Sequence, residues 1–493
     1  MKNIVVMDFD ICMVDTLLER GYRIVVLILL YDSDVEVCKQ KYKSTSQILH
    51  IMSVSDIEKV DGITHFDYEL MESLRDAQRK VEFFYQRYLD DGMLVTNKYF
   101  NALFWWAHIF DCYSVDLVVF DNIEHGCMSD IALYLAHFKN IPAFCVSRRI
   151  LNARNLFDFN KKTFIPFVKR TLLSSQITRE LFTQLPKPHN TITFKKIIAK
   201  AVRSIGGQLL VDFLQCLYKG SFVLRYAIGG DMRISFWYKL FCYYQLKKQK
   251  RAYCSLAHSP HYDTPFIFYA IHFEPEANTG VCMPLQNQLS VIQMLSRALP
   301  EGYKLYVKEH PMQFSLNKPG MDYYLYNFMY FKNANFYKEI QKLKNVEFIS
   351  LDISSEELIQ RSLAVATING SIQFESTLAN KPCIAFGGYD ILLKNAKNII
   401  CVESFERLKH DVEHLIQSPQ DFSIESDLAD CKEFIAKHTI SAVSPNRGQE
   451  ILDTIESHLG GGVNRYSLID LYRIFLLLYT LQSLSRIGAA RCR

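Results

Sequence analysis

Residues 364–386 read AVATINGSIQFESTLANKPCIAF, and this stretch decides the fold. It begins with a nearly continuous apolar run, Ala364 to Ile368, and ends with a second one, Cys383 to Phe386. Short runs of this kind are typical of parallel strands that are buried on both faces. The residues between them, Ser371 to Ala379, follow a helical pattern. The stretch therefore predicts a strand, a crossover helix and a second parallel strand.

The same alternation extends along the chain in both directions. Further strand candidates are Ile4 to Met7, Ile24 to Leu30, Leu117 to Phe120, Ala143 to Val146, Phe266 to Ile271, Leu305 to Val307, Val346 to Ile349 and Ile399 to Val402. Helical patterns between them include Ser129 to Phe138, Gln286 to Ala298 and Asn333 to Leu343. We expect an α/β protein with two Rossmann-like domains facing a cleft. The expected parts are a first domain (1–155), a basic aromatic helical insertion (156–260), a second domain (261–440) and a helical tail (441–493).

The charge of the chain is concentrated in that insertion. The whole sequence has a formal net charge of +4, which argues against a dedicated nucleic-acid binder. Residues 161–251, however, contain eighteen Lys and Arg against three Asp and Glu. Together with the C-terminal tail, this stretch could dock on an anionic membrane surface or guide an acidic acceptor toward the cleft. The lysines could equally form only the solvated faces of helices.

Hydropathy and cysteine usage suggest a compartment. The longest apolar runs, Ile24 to Tyr31 and Ile474 to Leu481, are far shorter than the roughly 20 residues that span a bilayer. The 13 cysteines form no Cys-x-x-Cys pair, which favours reduced thiols and argues against a zinc site. We expect a cytoplasmic protein that can lie peripherally on the inner face of the cytoplasmic membrane.

Polar side chains follow the strands of the second domain. In open α/β sheets, ligands bind beyond the carboxyl ends of the strands, so these residues are the first candidates for a site. After two strands, the candidates are His272, Glu274, Glu276, Lys308 and His310, the last of them followed by a strand-ending proline. A lysine and a histidine at a strand end can meet a phosphate, although both also occur in ordinary polar turns.

A third candidate is the turn formed by Asn369, Gly370 and Ser371. A Gly-Ser turn that opens a helix exposes backbone N–H groups, which favour an anion. Glu375 lies one turn into the helix, where it could accept hydrogen bonds from ribose hydroxyls. The same residues would also fit a plain helix cap.

The first domain offers candidates for a general base. Asp8 and Asp10 follow the first strand, and His125 follows the strand Leu117 to Phe120. A His or an acid at a strand end suits the activation of a sugar hydroxyl. The Asp8-Phe9-Asp10 motif also resembles the first motif of haloacid-dehalogenase-like phosphatases, which leaves a magnesium-dependent phosphatase as an alternative.

Two longer segments carry a family resemblance. Residues 271–279 (IHFEPEANT) and 299–311 (LPEGYKLYVKEHP) resemble bacterial capsule and surface-polysaccharide biosynthesis proteins. These are GT-B-like glycosyltransferases related to capsular Kdo transferases and, more distantly, to bacterial sialyltransferases. The Asn369-Gly370-Ser371 turn, Asn380-Lys381-Pro382 and the region around Asp121 to His125 continue the resemblance. It covers about 115–150 and 265–390, and departs from the family at Glu274, where relatives more often have Gln.

The resemblance implies a glycosyltransferase that moves an acidic sugar, such as Kdo or a sialic-acid-like sugar, from a CMP-activated donor to a glycan or lipid-linked acceptor. His310 would contact the donor phosphate, Ser371 and its neighbours the phosphate or ribose, and Glu375 the ribose or base. No obligatory metal is expected, because a CMP leaving group needs less charge compensation than a diphosphate. The alternatives are a GT-B enzyme with a UDP- or GDP-sugar donor and a non-enzymatic factor of polysaccharide assembly or export.

Overall fold

Continuous apolar runs form the parallel strands of two separate sheets in the computed structural model of the chain. The structure describes residues 2–7, 11, 13–87, 92–121, 127–148, 153–168, 205–226, 232–275, 285, 287–315, 327–387, 393, 396–424, 428–441 and 444–460. Four of the predicted site residues, Asp8, Asp10, His125 and Glu276, lie outside the described residues. So do 169–204, in the basic stretch, and the tail from 461 onward.

The first sheet has a parallel centre with antiparallel strands added at one side. Its strands are β1 (Asn3–Met7), β2 (Arg23–Leu29), β3 (Ile48–Ser53), β4 (Leu117–Phe120), β5 (Ala143–Arg148), β6 (Ala153–Asp158), β7 (Thr163–Ile165) and β16 (Ile440–Ser441). The order is β16-β6-β5-β4-β1-β2-β3, and β7 pairs with β6. Residues 4–7 of β1 and residues 24–29 of β2 are buried, as expected for strands with helices on both faces.

The helices of the first half connect these strands. They are α1 (Val14–Glu19), α2 (Asp32–Lys41), α3 (Val54–Ile57), α4 (Tyr68–Ser73), α5 (Arg75–Gln86), α6 (Gly92–Tyr113) and α7 (Ile131–Phe138). The long helix α6 contributes Trp106, Phe104 and Tyr99 to the core, where all three are fully buried. Burial of these large aromatic side chains fixes the helix against one face of the sheet.

The second sheet is wholly parallel. Its strands are β10 (Phe266–Ala270), β11 (Lys304–Lys308), β12 (Val346–Phe348), β13 (Ala364–Thr367), β14 (Cys383–Ala385) and β15 (Ile399–Cys401), in the order β12-β11-β10-β13-β14-β15. Its helices are α10 (Gln288–Ala298), α11 (Phe328–Phe331), α12 (Ala334–Gln341), α13 (Ser355–Arg361), α14 (Ile372–Leu378), α15 (Phe405–Gln417) and α16 (Leu428–His438). Starting from β10 at the centre, β11 and β12 are added on one side, and β13, β14 and β15 are added on the other. This is the doubly wound Rossmann order.

The chain between the two sheets forms a small unit of its own. It consists of α8 (Ile205–Lys219), the antiparallel hairpin β8 (Val223–Tyr226) and β9 (Met232–Ser235), and α9 (Phe236–Leu256). Phe213, Phe222 and Phe236 pack together at its centre with Cys216 and Leu224. We expected a helical insertion, and the structure adds the hairpin β8–β9 between its two described helices.

The last helix of the described chain, α17 (Arg447–Gly460), returns to the first sheet. Ile451, Leu452 and Ile455 pack among the apolar residues of the first two strands. Arg20 pairs with Asp453 at 2.5 Å and with Glu456 at 2.8 Å. Helix α17 and strand β16 thus complete the first domain from the far end of the chain.

The α/β class with two Rossmann-like sheets is confirmed, but two predicted bounds differ from the structure. The bound at 155 falls inside β6, because β6 and β7 extend the first sheet to Ile165. The bound at 441 falls inside β16, which pairs with β6. Within the described ranges, none of the helices is long and apolar enough to cross a membrane.

Candidate functional site

The candidate site lies where the strand order of the second sheet reverses. Strands β10 and β13 are neighbours there, and the loops that follow them leave in opposite directions. This switch point opens a crevice at the carboxyl edge of the sheet, which is where doubly wound proteins bind ligands. The loop after β10 carries His272, and the turn after β13 carries Asn369 and Gly370.

His272 joins the two sides of the switch point. Its Nε2 atom lies 3.0 Å from Oγ1 of the buried Thr367, the last residue of β13, and accepts a hydrogen bond from the Asn369 amide at 3.3 Å. Gly370 has a φ of +113°, and a Cβ atom there would lie 3.5 Å from Cε1 of His272. A side chain at this position would be strained by the positive φ, whereas its Cβ would only come into ordinary van der Waals contact with the imidazole.

The environment keeps His272 neutral. Burial, followed by the charge of Lys332 and the nearby His310, lowers the pKa of His272 to about 3. Nε2 lies within hydrogen-bond distance of both the Asn369 amide and the Thr367 hydroxyl, and that hydroxyl also donates to the Asn369 carbonyl at 2.7 Å. A neutral imidazole held by these contacts can orient a polar ligand without adding charge.

Two glutamines hold the loop that carries His272. Gln288, at the start of α10, accepts from the His272 amide at 2.6 Å and donates to the carboxylate of Glu274 at 2.7 Å. Gln313 accepts from the Glu274 amide at 2.8 Å and donates to its carbonyl at 3.0 Å. The structure therefore places Glu274, which the sequence offered as a donor ligand, in a buried contact within the loop scaffold.

His310 follows the neighbouring strand β11 and points its ring outward. Its Nδ1 atom accepts from the Met312 amide at 3.1 Å, so in the neutral ring Nε2 carries the hydrogen and can donate it. Burial within the loop, opposed by Glu309 and assisted by Lys332 and Lys308, lowers the pKa of His310. The residue is exposed, so a ligand can reach this donor.

A buried ion pair lies beneath both histidines. Glu309 accepts from Lys332 at 3.0 Å, from the hydroxyl of Tyr337 at 2.7 Å and from the His310 amide at 2.8 Å. The Lys332 ammonium also donates to the His272 carbonyl at 2.6 Å. The side chains of Lys332 and Glu309 are 1% and 0% exposed. One buried pair thus fixes the loops of both histidines.

Helix α9 supports the same pair from the other side. The hydroxyl of Tyr253 accepts from the Glu309 amide at 3.0 Å and donates to the Ile349 carbonyl. The side chain of Gln249 donates to the Lys332 carbonyl at 3.0 Å. The second half of α9, at the end of the basic segment, therefore helps to hold the candidate site in place.

The remaining predicted donor ligands take two different positions. Ser371 and Glu375 are exposed, and the Ser371 hydroxyl donates to the Glu375 carboxylate at 3.2 Å, so both lie on the accessible side of the turn. Lys308 is buried, and its ammonium lies 3.3 Å from the Ser355 hydroxyl. Burial lowers the pKa of Lys308, opposed by Asp352. Lys308 therefore contributes its positive charge from the buried interior, not from the exposed surface of the site.

The corresponding edge of the first sheet is described only in part. Asp121, at the end of β4, and Arg154, in β6, are both buried, and Arg154 Nε lies 3.9 Å from Asp121 Oδ1. In sequence, Asp121 directly precedes residues 122–126, which contain the predicted His125 and lie outside the described residues. Within the described ranges, no group of three or more His, Cys, Asp or Glu side chains is arranged to hold a metal ion.

Sequence patterns did not reveal three residues that organise the site: Thr367, Gln288 and Lys332. Thr367 lies inside the predicted strand Ala364 to Ile368, whereas the observed strand β13 ends at Thr367, which places its hydroxyl at the edge of the sheet. Gln288 and Lys332 reach His272 from positions 16 and 60 residues away, respectively. No local pattern marks such contacts.

Residues 285–404 match the family model described as capsule polysaccharide biosynthesis protein. The resemblance inferred from the motifs is thereby confirmed for this segment, which contains His310, Lys332 and the 369–375 turn. No curated protein sequence matches the chain. The two parallel-centred sheets give the chain the GT-B-like architecture that the resemblance implied.

Solved structures with a distant likeness include three sugar-related proteins. KpsC, the beta Kdo 2,7 transferase of Thermosulfurimonas dismutans, shares 10% identity at a TM-score of 0.32, over 87% of this chain and 98% of its own. A glycosyltransferase of Rickettsia africae shares 12% identity at a TM-score of 0.28, over 94% and 99%. The UDP-GlcNAc 2-epimerase of Neisseria meningitidis, bound to UDP-GlcNAc, shares 12% identity at a TM-score of 0.26, over 93% and 100%. TM-scores this low assign no activity to the chain.

Proposed function

We propose that this protein is a glycosyltransferase of bacterial surface-polysaccharide biosynthesis that uses a CMP-activated acidic sugar, such as Kdo or a sialic-acid-like sugar. The acceptor would be a glycan or a lipid-linked saccharide. The observation that carries the proposal is the Nε2–H donor of the neutral His310, held beside the switch point of the second sheet. The family match over the same segment supports it.

The reaction breaks the bond between the anomeric carbon of the donor sugar and a phosphate oxygen of CMP. The acceptor oxygen forms a new bond to that carbon, and its proton passes to a base in the first domain. His125, Asp8 and Asp10 are the candidates for this base. The departing CMP gains one negative charge at the phosphate, so a donor aimed at that oxygen stabilises the transition state more than the ground state.

His310 is suited to this role because its proton position is fixed. The Met312 amide occupies Nδ1, which leaves Nε2–H to donate to the leaving phosphate oxygen. The lowered pKa keeps the ring neutral, so it binds the phosphate by hydrogen bonding. Lys308 contributes positive charge from the buried side of the same loop, whereas the charge of Lys332 is balanced by its ion pair with Glu309.

The other predicted donor ligands complete the proposed nucleotide site. Ser371 would bind the phosphate or ribose, and Glu375 the ribose or base, with their mutual hydrogen bond holding both in place. Asn369, Gly370 and His272 would form the floor of the site. Glu274, Lys308 and Glu276 stay predictions as direct ligands, and the first two act here through the scaffold.

A nucleotide-sugar screen tests the proposal. We expect CMP and CMP-sugars to raise the unfolding temperature of the full chain and a CMP-sugar to support transfer to a saccharide acceptor. Protection by UDP- or GDP-sugars alone would assign the chain to the alternative donor class. Polysaccharide binding without transfer from any donor would favour an assembly factor, and magnesium-dependent phosphate release would favour the phosphatase.

A further inference from the structure

Helix α9 carries two opposite stripes along its length. Lys239, Cys242, Leu246, Gln249 and Tyr253 are buried, at alternating spacings of three and four residues. The other stripe, at the same spacings, consists of Trp237, Phe241, Tyr244, Lys248 and Arg251, all of which are exposed. Because such spacings recur on one side of a helix, the second stripe is a continuous surface.

The exposed stripe changes character along the helix. Its first half is aromatic: Trp237, Phe241 and Tyr244 are 57%, 47% and 59% exposed. Its second half is cationic, with Lys248 and Arg251 one to two turns further on, a distance of roughly 6 to 10 Å along the axis. Three large aromatic side chains exposed along one face of a helix form an apolar patch, and such patches mark interaction sites.

Helix α8 adds a second apolar stripe. Leu210, Leu214 and Leu217 are more than half exposed, and they recur at spacings of four and three residues. The buried pair of Lys239 and Asp212, 2.6 Å apart, ties the two helices together. Their common core is the phenylalanine cluster, so both exposed stripes belong to one folded unit.

The charge around these stripes has one sign. Helix α9 contains no Asp or Glu in its 21 residues, but it contains Lys239, Lys247, Lys248, Lys250 and Arg251. In α8, the described side chains include one acid, Asp212, and the pair with Lys239 neutralises it. A partner for this surface must therefore offer an apolar layer next to a layer of negative charge.

We propose that the unit formed by α8 and α9 docks on the surface of an anionic lipid bilayer. The aromatic and leucine side chains enter the boundary between headgroups and acyl chains, where Trp and Tyr are favoured. Lys248 and Arg251, further along the helix, meet the lipid phosphates. This inference does not rest on the proposed sugar transfer, because none of these side chains belongs to the candidate site.

Trp237 provides a direct probe. The chain has three tryptophans, of which Trp106 is fully buried and Trp237 is exposed. Vesicles of phosphatidylglycerol and phosphatidylcholine should shift the tryptophan emission of the full chain to the blue, and brominated acyl chains should quench it. Trp237→Phe should abolish the shift while leaving vesicle sedimentation largely intact. An unchanged emission spectrum on bound vesicles would overturn the proposed geometry.

Two sets of variants separate the apolar and cationic contributions. Lys247→Gln, Lys248→Gln and Arg251→Gln together should weaken binding to the anionic vesicles at least tenfold, since each cation near such a surface contributes roughly a factor of five. The matched control replaces Lys39, Lys342 and Lys409 with Gln. These lysines are also exposed, and the control should leave vesicle binding unchanged. Phe241→Ser with Tyr244→Ser should weaken binding, whereas Tyr68→Ser with Tyr330→Ser should not. Circular dichroism checks that each variant is folded.

Three outcomes would overturn the proposal. Equal binding to vesicles of phosphatidylcholine alone would remove the role of the cations. Binding to a soluble anionic polysaccharide but not to vesicles would assign the surface to an acidic glycan. A concentration-dependent dimer that shields Trp237 without lipid would assign it to a second copy of the chain.

Discussion

The ammonium group of Lys332 donates to the carbonyl of His272 at 2.6 Å and lies 3.0 Å from the carboxylate of Glu309. Glu309 in turn accepts from the backbone amide of His310. One buried cation and one buried anion therefore set the positions of two histidines that leave different strands. The candidate site depends on this pair although neither member is exposed to a ligand.

Removal of the cation should be strongly destabilising. We expect Lys332→Met to lower the free energy of unfolding by about 3–5 kcal/mol, because it leaves the Glu309 charge buried without its partner. Urea denaturation measures this loss. The double variant Lys332→Met with Glu309→Gln, which removes both charges, should lose less than the single variant. A larger loss in the double variant would contradict an electrostatic role for the pair.

The two nitrogens of His310 can be tested separately. His310→Asn keeps an acceptor near the Nδ1 position for the Met312 amide but removes the outer donor. His310→Gln places an amide donor near Nε2 and loses the inner contact. If His310 stabilises the departing phosphate, we expect Asn to lower kcat by about 100-fold or more and Gln to retain more activity. The unfolding midpoints should differ little from that of the parent. Equal activity of both variants would contradict the proposed donor role.

The stability of the fold should depend on pH through His272. Its pKa in the folded chain is lowered to about 3, from the ordinary value of 6.5. Below pH 6.5 the unfolded chain therefore binds a proton that the folded chain does not, and stability falls as the pH decreases. Between pH 7 and pH 5 this contribution amounts to about 2 kcal/mol. We expect His272→Gln to reduce the measured pH dependence by that amount, and an unchanged dependence would contradict the buried neutral state.

Glu58 should show the opposite pH dependence. Burial raises its pKa to about 7, and although Tyr85 donates to Oε1 at 2.6 Å, Oε2 is buried without a hydrogen-bond partner. Between pH 4.5 and 7 the folded chain binds the proton more tightly than the unfolded chain, so this contribution to stability is lost as the pH rises. We expect Glu58→Gln to be more stable than the parent at pH 8, by about 1–3 kcal/mol, and similar to it at pH 5. Urea denaturation at both pH values makes the comparison.

Much of the fold could be predicted because the parallel strands are continuous apolar runs. Leu117–Phe120 was predicted with its bounds as observed, and β10, β11 and β13 to within one residue at each end. The strands that escaped prediction are less uniform. Strand β6 contains Arg154, Asn155 and Asp158, and strand β3 is only partly buried along most of its length. Such strands owe their pairing to neighbours in the sheet rather than to their own pattern.

The candidate site could be predicted only at the level of strand ends. The rule that ligands bind beyond parallel strands places His272, His310 and the 369–375 turn at one edge. It does not distinguish an exposed donor such as His310 from a scaffold residue such as Glu274. That difference arises from Gln288 and Gln313, which bind the Glu274 residue from distant parts of the chain.

The return of β16 and α17 to the first sheet has a consequence for synthesis on the ribosome. The partners of Arg20 are made 433 and 436 residues later, and strand β6, which pairs with β7 through residues 156–158, gains its pairing with β16 only when Ile440 emerges. Contacts so far apart in sequence slow folding, because a long loop must close before they form. The second sheet, whose strands all lie between Phe266 and Cys401, can be complete while the first still has an open edge. We therefore expect the half of the protein that is made first to be the last to finish folding.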